Sequence, residues 1–245
     1  MIEAFTQIRE MHLVFEEAEK ILAEDIGKPI CIPVCGICCE HNVSNAMTIE
    51  AVYAVSVLTG QGQLKKMVPL AEGWLLEHHS FATIYEGMPH GHVSPQLRDE
   101  WQAVSRSQCP FLDSTTKYCL VHDCRPITCR AYGVTRDNSE LCPRPLGRGE
   151  TESQRRYIPA PKLREYIKGC RDEWKKKNKT WLIAGCFPSV LFRAAEPVKF
   201  KNYILDNRIA STKIIGIDFE TSLMWQPQVN ALRKGVSPDL IVTMN

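Results

Sequence analysis

Cysteine is concentrated in one part of this chain, and that concentration constrains the fold more than any other feature. Nine of the 11 cysteines lie between Cys31 and Cys142 of the 245 residues. So many neighbouring thiols are explained by disulfides, by metal ligation or by packing as inert core side chains. Charged residues run through the first 22 positions, which therefore lack the apolar core of a signal peptide and predict a cytoplasmic protein. Because disulfides are rare in a reducing compartment, metal ligation is the favoured interpretation.

The cysteines form two groups whose spacing is typical of metal ligands. The first reads Cys31-Ile-Pro-Val-Cys35-Gly-Ile-Cys38-Cys39, and the second runs from Cys109-Pro-Phe-Leu through Tyr-Cys119 to Cys124-Arg-Pro-Ile-Thr-Cys129-Arg. Two cysteines separated by two residues can direct both sulfurs at one ion, and a turn glycine lets backbone amides approach the thiolates. One such pair is a weak signal. Two groups with glycine, proline and arginine among their members indicate a metal site.

Two arginines flank the last cysteine of the second group. Arg125 and Arg130 would place positive charge beside Cys129, which suits the negative charge of thiolate and iron–sulfur centres. Pro126 is well placed as the first residue of a short helix, whose first turn would hold Cys129 near free backbone amides. Arg125 and Arg130 are therefore predicted to act on the bound cofactor; the alternative is that both are surface residues.

These motifs resemble those of the YkgJ-type cysteine-cluster proteins, also called the CxxCxxCC family, whose domain is described as chelating zinc or iron. The Cys-Gly-Ile-Cys-Cys sequence that ends at Cys39 is similar to the core motif of the family. The Cys-Pro-Phe-Leu sequence from Cys109, and the series Cys119, Arg-Pro and Cys129-Arg, are similar to its later motifs. The resemblance spans about residues 31 to 145.

The resemblance implies eight metal-ligating cysteines. Cys124 falls at a position that the family leaves variable. The chain departs from the family in the spacing between Cys31 and Cys35, in having His122 at a usually aromatic place, and in a long insertion between the two groups. The implied metal ligands are Cys31, Cys35, Cys38, Cys39, Cys109, Cys119, Cys129 and Cys142. Family members are often described as iron–sulfur oxidoreductases, so the resemblance implies a metal centre and leaves its reaction open.

Eight thiolates are more than the four that one zinc ion or one cluster needs. Neighbouring side chains of an extended chain point in different directions, so Cys38 and Cys39 are not expected to bind one mononuclear ion. A polynuclear centre or two sites is therefore predicted. The favoured cofactor is an iron–sulfur cluster of the four-iron (4Fe-4S) type, with zinc as the alternative.

The two cofactors predict different functions. An iron–sulfur cluster predicts a redox, electron-transfer or group-transfer role with a protein or redox partner. Zinc predicts a stabilised module that binds nucleic acid or protein. A third alternative is a structural component of a larger assembly, in which the cluster only holds loops together. Residues 151–245 carry 17 lysines and arginines against nine acidic residues, which suits nucleic-acid binding by the C-terminal part; the favoured alternative is an ordinary solvated surface.

Other classes of protein find little support in the sequence. The motifs of serine hydrolases, P-loop nucleotide binding and dinucleotide binding are missing. No run of apolar residues is long enough to span a membrane, so no membrane partner is expected. Whether the protein is an enzyme stays open at this point.

The predicted fold class is mainly α, with a loop-rich metal-binding region and a few short strands (α+β). Apolar residues at spacings of three and four predict an amphipathic helix over residues 1–22, ended by Gly27 and Pro29. Turn residues at 143–149 divide a cysteine-cluster metal-binding domain, 1–147, from a basic C-terminal α+β extension, 148–245. Further helices are predicted at about 48–58, 63–78 with a kink or break at Pro69, 94–106, 161–177, 189–195 and 200–209, and strands at 212–219 and 240–243.

Overall fold

The computed structural model of the chain describes residues 1–30, 36–78, 84–86, 107–132, 134, 161–178 and 183–206. Most of these residues are helical and three short strands form one small sheet, which confirms the predicted fold class. The helices are α1 (Ile2–Ile26), α2 (Ile37–Glu40), α3 (Thr48–Gly60), α4 (Leu64–Glu77), α5 (Ile127–Ala131), α6 (Pro161–Lys177), α7 (Phe187–Ala195) and α8 (Pro197–Asp206). The strands are β1 (Asn45–Met47), β2 (Ile84–Glu86) and β3 (Ile183–Cys186), and His122–Cys124 form a 3-10 turn.

The first helix is defined by a buried apolar stripe and a glycine stop. Gly27 adopts a left-handed conformation with φ of 75°, and its N–H donates to the carbonyl of Ala23 over 2.8 Å. Glycine enters this conformation without steric cost, so α1 ends at the predicted residue. The buried apolar side chains of α1 are Ala4, Ile8, Met11, Phe15, Leu22 and Ile26.

The third helix lies in the middle of the molecule. It packs most extensively against α7, and also against α1 and the 3-10 turn. Most of its 13 residues are buried. A helix with apolar residues on all sides has to be enclosed by other elements, which is the position that α3 occupies.

The fourth helix continues through Pro69 from Leu64 to Glu77, so a break at this proline does not occur. Pro69 is exposed, and the backbone carbonyl that loses its helical partner there can be hydrated. The opposite face is buried and holds the helix against α7. Packing therefore outweighs the local preference of proline for ending a helix.

The small sheet joins distant parts of the chain. Its strand order is β1-β3-β2 and both pairings are antiparallel. On one side of β3, Cys186 and Ala184 pair with Asn45 and Met47 of β1. On the other side, Gly185 pairs with Ile84 of β2. The sheet thereby ties the segment after Cys39 to the start of α7.

One hydrophobic core contains residues from both sides of the predicted domain boundary. Trp174, Phe192 and Phe200 are fully buried in the same cluster as Ile8 and Ile49. The boundary itself, at 147/148, lies outside the described residues, as do the predicted helix at 94–106 and both predicted strands. The division into two domains stays a prediction. Among the described helices, none is long and apolar enough to cross a membrane.

Candidate metal centre

The two cysteine groups meet in space. We call the region where they meet, residues 36–50 together with residues 107–132, the cysteine junction. The N–H of Cys109 donates to the carbonyl of Cys39 over 2.7 Å. The described members of the two groups are therefore neighbours, although 69 residues separate these two cysteines in the chain.

A tight loop in the second group brings Cys109 and Cys119 towards each other. Leu112 and Cys119 form an isolated antiparallel bridge, and the N–H of Asp113 donates to the carbonyl of Tyr118 over 2.9 Å. Asp113 Oδ1 accepts two backbone N–H groups of the turn, at 3.0 and 2.7 Å. Such side-chain bonds to the following backbone stabilise turns, so the loop closes on its own hydrogen bonds.

Gly36 lets the first group approach this loop. Its φ of 61° lies in the left-handed region. A Cβ at this position would lie 2.9 Å from Leu112 Cδ1 and 3.1 Å from the carbonyl oxygen of Lys117. Only glycine combines this backbone conformation with so close a contact. The glycine of the Cys-Gly-Ile-Cys-Cys motif therefore serves the packing of the two groups.

We expect Gly36→Ala to lower the free energy of unfolding by about 1–3 kcal/mol, because it adds a strained backbone and a steric overlap. Two other glycines provide matched controls. Gly62 has φ of 69°, and a Cβ added there would have no atom within 4 Å, so Gly62→Ala reports the conformational cost alone. Gly73 lies in α4 with the same open space and without a positive φ, so Gly73→Ala should stabilise the helix. Denaturant unfolding measures all three; equal costs for Gly36→Ala and Gly62→Ala would show that the contact is not restrictive.

Cys38 and Cys39 lie side by side on α2, with their Sγ atoms 3.9 Å apart. The expectation that these neighbours diverge is wrong, because it assumed an extended chain and the residues form a helical turn. Two thiolates on one tetrahedral ion, each at about 2.3 Å from it, lie about 3.8 Å from each other. The pair therefore has the separation that a single ion requires.

Burial opposes the ionisation of the deeper thiols. It is the largest cause that raises the pKa of Cys109, and neighbouring thiols raise this pKa further. Burial also raises the pKa of Cys129 to about 12. Cys38 differs, because its hydrogen bond with Cys39 lowers its pKa to about 7. Since ligating cysteines are thiolates, a metal ion that binds here has to displace protons and offset their mutual repulsion.

The arginines of the second group face the first helix. Arg130 Nη1 donates to Glu16 Oε1 over 2.6 Å, and Arg125 Nη2 lies 3.8 Å from Glu19 Oε2. Both arginines are buried, so the alternative that they are surface residues is wrong. The charge of Arg125 also lowers the pKa of Cys38, which places this guanidinium within electrostatic range of the thiols. The action of the two arginines on a bound cofactor stays a prediction.

Hydrogen bonds from the first part of the junction hold α5, the helix that carries Cys129. The N–H of Ile127 donates to Glu50 Oε1 over 2.8 Å, and Thr128 Oγ1 donates to the carbonyl of Asn45 over 2.6 Å. The short helix begins at Ile127, so Pro126 is its N-cap and not its first residue, whereas Cys129 lies in the first turn, as predicted. The position of Cys129 therefore depends on residues that follow the first cysteine group.

The described residues include five of the eight predicted ligands: Cys38, Cys39, Cys109, Cys119 and Cys129. Cys31, Cys35 and Cys142 lie outside the described residues. Within the part of the chain that the structure describes, no group of three or more histidine, cysteine, aspartate or glutamate side chains is arranged to hold a metal ion. The donor chemistry and the Cys38–Cys39 separation fit a zinc or iron ion. Ligation by the full set of eight stays a prediction.

The polar residues that hold the junction together were missed by the sequence analysis. Glu50 and Asn45 accept hydrogen bonds from α5, and Ser44 hydrogen-bonds the Cys129 side chain. Glu50 had only a weak sequence signal, because it lies three residues after the N-cap as in a capping box, but the N-cap is Met47 rather than Ser, Thr, Asp or Asn. Ser44 and Asn45 carried none, since their partners are distant in the chain.

Comparison with known families agrees with this geometry. Residues 30–146, just under half of the chain, match the family model CxxCxxCC, described as "Putative zinc- or iron-chelating domain". The match confirms the resemblance drawn from the motifs, since it names the same family and covers nearly the same residues. Neither the curated proteins nor the solved structures yielded a match. The description of the matching family, zinc or iron chelation, agrees with the thiols that the structure gathers at the cysteine junction.

Proposed function

We propose that the protein binds iron at the cysteine junction as an iron–sulfur cluster and serves a redox or electron-transfer role. The observation that carries the proposal is the meeting of the two thiol groups, shown by the 2.7 Å hydrogen bond between Cys109 and Cys39. An iron–sulfur cluster supplies one-electron transfer when bound. The supply of thiols is sufficient for such a cluster, which takes four cysteines.

The Cys38–Cys39 pair bears on the type of cluster. Its 3.9 Å separation favours a centre in which one ion takes both thiolates. A two-iron cluster has this arrangement, whereas a four-iron cluster takes one cysteine for each iron. The pair therefore supports a two-iron cluster over the four-iron type favoured by the sequence.

The residues around the thiols have separate tasks in this proposal. The hydrogen bond between Cys38 and Cys39 lowers the pKa of Cys38, which favours a thiolate at this pair. Arg125 offsets negative charge near Cys38, and its partner Glu19 keeps this buried guanidinium in place. Arg130 ties the second group to α1 through Glu16. The apolar core beside the junction limits access of water, which tunes cluster potentials.

Anaerobic purification followed by metal analysis, sulfide analysis and a visible spectrum tests the proposal. We expect iron and acid-labile sulfide in equal amounts, with absorption that bleaches on reduction. Two irons for each chain would support the two-iron type, and four irons would support the four-iron type. A colourless protein with zinc and no sulfide would reject the iron–sulfur proposal.

A second candidate is a zinc-stabilised module that binds nucleic acid or another protein. The specific observation in its favour is again the Cys38–Cys39 pair, since its separation fits one tetrahedral zinc ion as well as one iron. Here the metal holds loops together and the basic C-terminal part contacts the partner. Such a protein would bind nucleic acid with an affinity that falls steeply as salt is raised. Salt-independent or undetectable binding would remove the nucleic-acid form of this candidate.

A further inference from the structure

Glu50 is a buried carboxylate that connects two helices. Its side chain is only 5% exposed. Oε2 accepts the N–H of Met47 over 2.8 Å, at the start of α3, and Oε1 accepts the N–H of Ile127 over 2.8 Å, at the start of α5. The second of these bonds joins residues that are 77 positions apart in the chain. The Glu50 side chain therefore links the start of α3 to the start of α5, the helix of the second cysteine group.

The short helix α5 has no side-chain cap of its own. Its N-cap is Pro126, which makes no side-chain hydrogen bond. The first N–H groups of a helix need acceptors when they are buried, and Glu50 supplies one for Ile127. Because α5 has only five residues, internal hydrogen bonds alone would leave it marginal. Its position relative to α3 thus depends on contacts such as that with Glu50.

We infer that Glu50 is the positioning residue that sets Cys129 against the thiols of the first group, so that a metal ion can bind across the junction. Cys129 follows Ile127 by two residues in α5. Its thiol hydrogen-bonds Ser44, which lies in the segment next to the first group. The hydrogen-bond partners of Glu50 are the backbone N–H groups of Met47 and Ile127, and not a thiol. Glu50 acts through the backbone of α5. The inference rests on the proposed metal centre.

The test compares Glu50→Gln with Trp174→Phe. Glutamine keeps the volume of Glu50 and one acceptor oxygen, but turns an NH₂ group towards one of the two N–H donors, so one link is lost. Trp174→Phe removes the 2.6 Å hydrogen bond from Trp174 Nε1 to Gln7 Oε1, which joins α6 to α1 away from the junction. Trp174→Phe therefore controls for a general loss of stability.

Metal-free wild type and variants are titrated anaerobically with Zn²⁺ against a chelator and with Co²⁺, whose thiolate charge-transfer band reports the number of sulfur ligands. We expect Glu50→Gln to bind Zn²⁺ about 10- to 100-fold more weakly, the usual effect of altering a residue that orients a ligand. The Co²⁺ band should also weaken as Cys129 leaves the site. Trp174→Phe should keep the wild-type affinity and band.

Thr128→Val is a second variant in case Glu50→Gln does not fold. It removes another bond that holds α5, from Thr128 Oγ1 to the carbonyl of Asn45, and should weaken Zn²⁺ binding in the same direction. Wild-type affinity in both Glu50→Gln and Thr128→Val, or equal weakening in Trp174→Phe, would overturn the positioning role. A wild type that binds neither ion would overturn the inference that one ion binds across the junction, while the iron and sulfide analysis tests the iron–sulfur proposal separately.

Discussion

Cys129→Ser is expected to release the metal, with affinity lowered more than about 100-fold, since altering even an outer-shell partner of a ligand costs about 10- to 100-fold. Serine has nearly the same size as cysteine, but its hydroxyl is not a soft anionic ligand. Cys129 occupies the first turn of α5, within electrostatic range of Cys38, so its loss removes the link that α5 makes to the first group. Metal content after anaerobic purification measures the effect.

Two cysteines outside the junction motifs provide the controls. Cys170 and Cys186 are buried, and neither belongs to the predicted ligands. Cys170 shares a hydrogen bond with Tyr166, so Cys170→Ser can keep a partner and should leave both metal content and stability near wild type. Cys186→Ser buries a hydroxyl and should lower stability by about 1–3 kcal/mol while metal content stays constant. Equal metal loss in all three variants would contradict the assignment of Cys129 as a ligand.

Removal of the metal is expected to unfold residues 31–45 and 109–145 before the rest of the protein. The described parts of these segments contain only short elements, among them the four residues of α2 and the five of α5. Ordering their backbone costs about 1–2 kcal/mol for each residue. A structural metal site can offset this cost, because zinc binding to small peptides contributes about 10–16 kcal/mol at neutral pH.

Hydrogen exchange of the metal-bound and metal-free protein measures this effect segment by segment. We expect the amides of residues 36–45 and 109–132 to lose most of their protection, while those of α1 and α6 keep theirs. α1 and α6 persist because they pack on each other, through Trp174 and Gln7 among others. Phe111 should protect its immediate neighbours to some degree, because it is fully buried in the core. Equal protection of the two segments with and without metal would show that the metal does not hold them.

Helix bounds that neighbouring residues set were predicted from the sequence, whereas strands that form by pairing with distant residues were not. The stop of α1 at Gly27, the bounds of α6 and the short helix around Cys129 were predicted from residues within a few positions of each other. Helix caps and apolar periods act over one or two turns, so the local sequence suffices to predict them. The three strands were not predicted, because each has only three or four residues and is formed by pairing with a distant segment.

The candidate site divides in the same way. The sequence by itself determined the kind of donor atoms and the family resemblance, since two cysteine groups with a glycine and two arginines resemble the motifs of a domain described as zinc- or iron-chelating. The tertiary structure decided how these parts meet: that the Sγ atoms of Cys38 and Cys39 lie 3.9 Å apart, that Arg130 pairs with Glu16, and that Glu50 holds α5. The metal-donor atoms are cysteine sulfurs, and the sequence shows them directly because each belongs to a residue type. Distances between residues far apart in sequence depend on how the helices pack, and no local pattern of residues contains that packing.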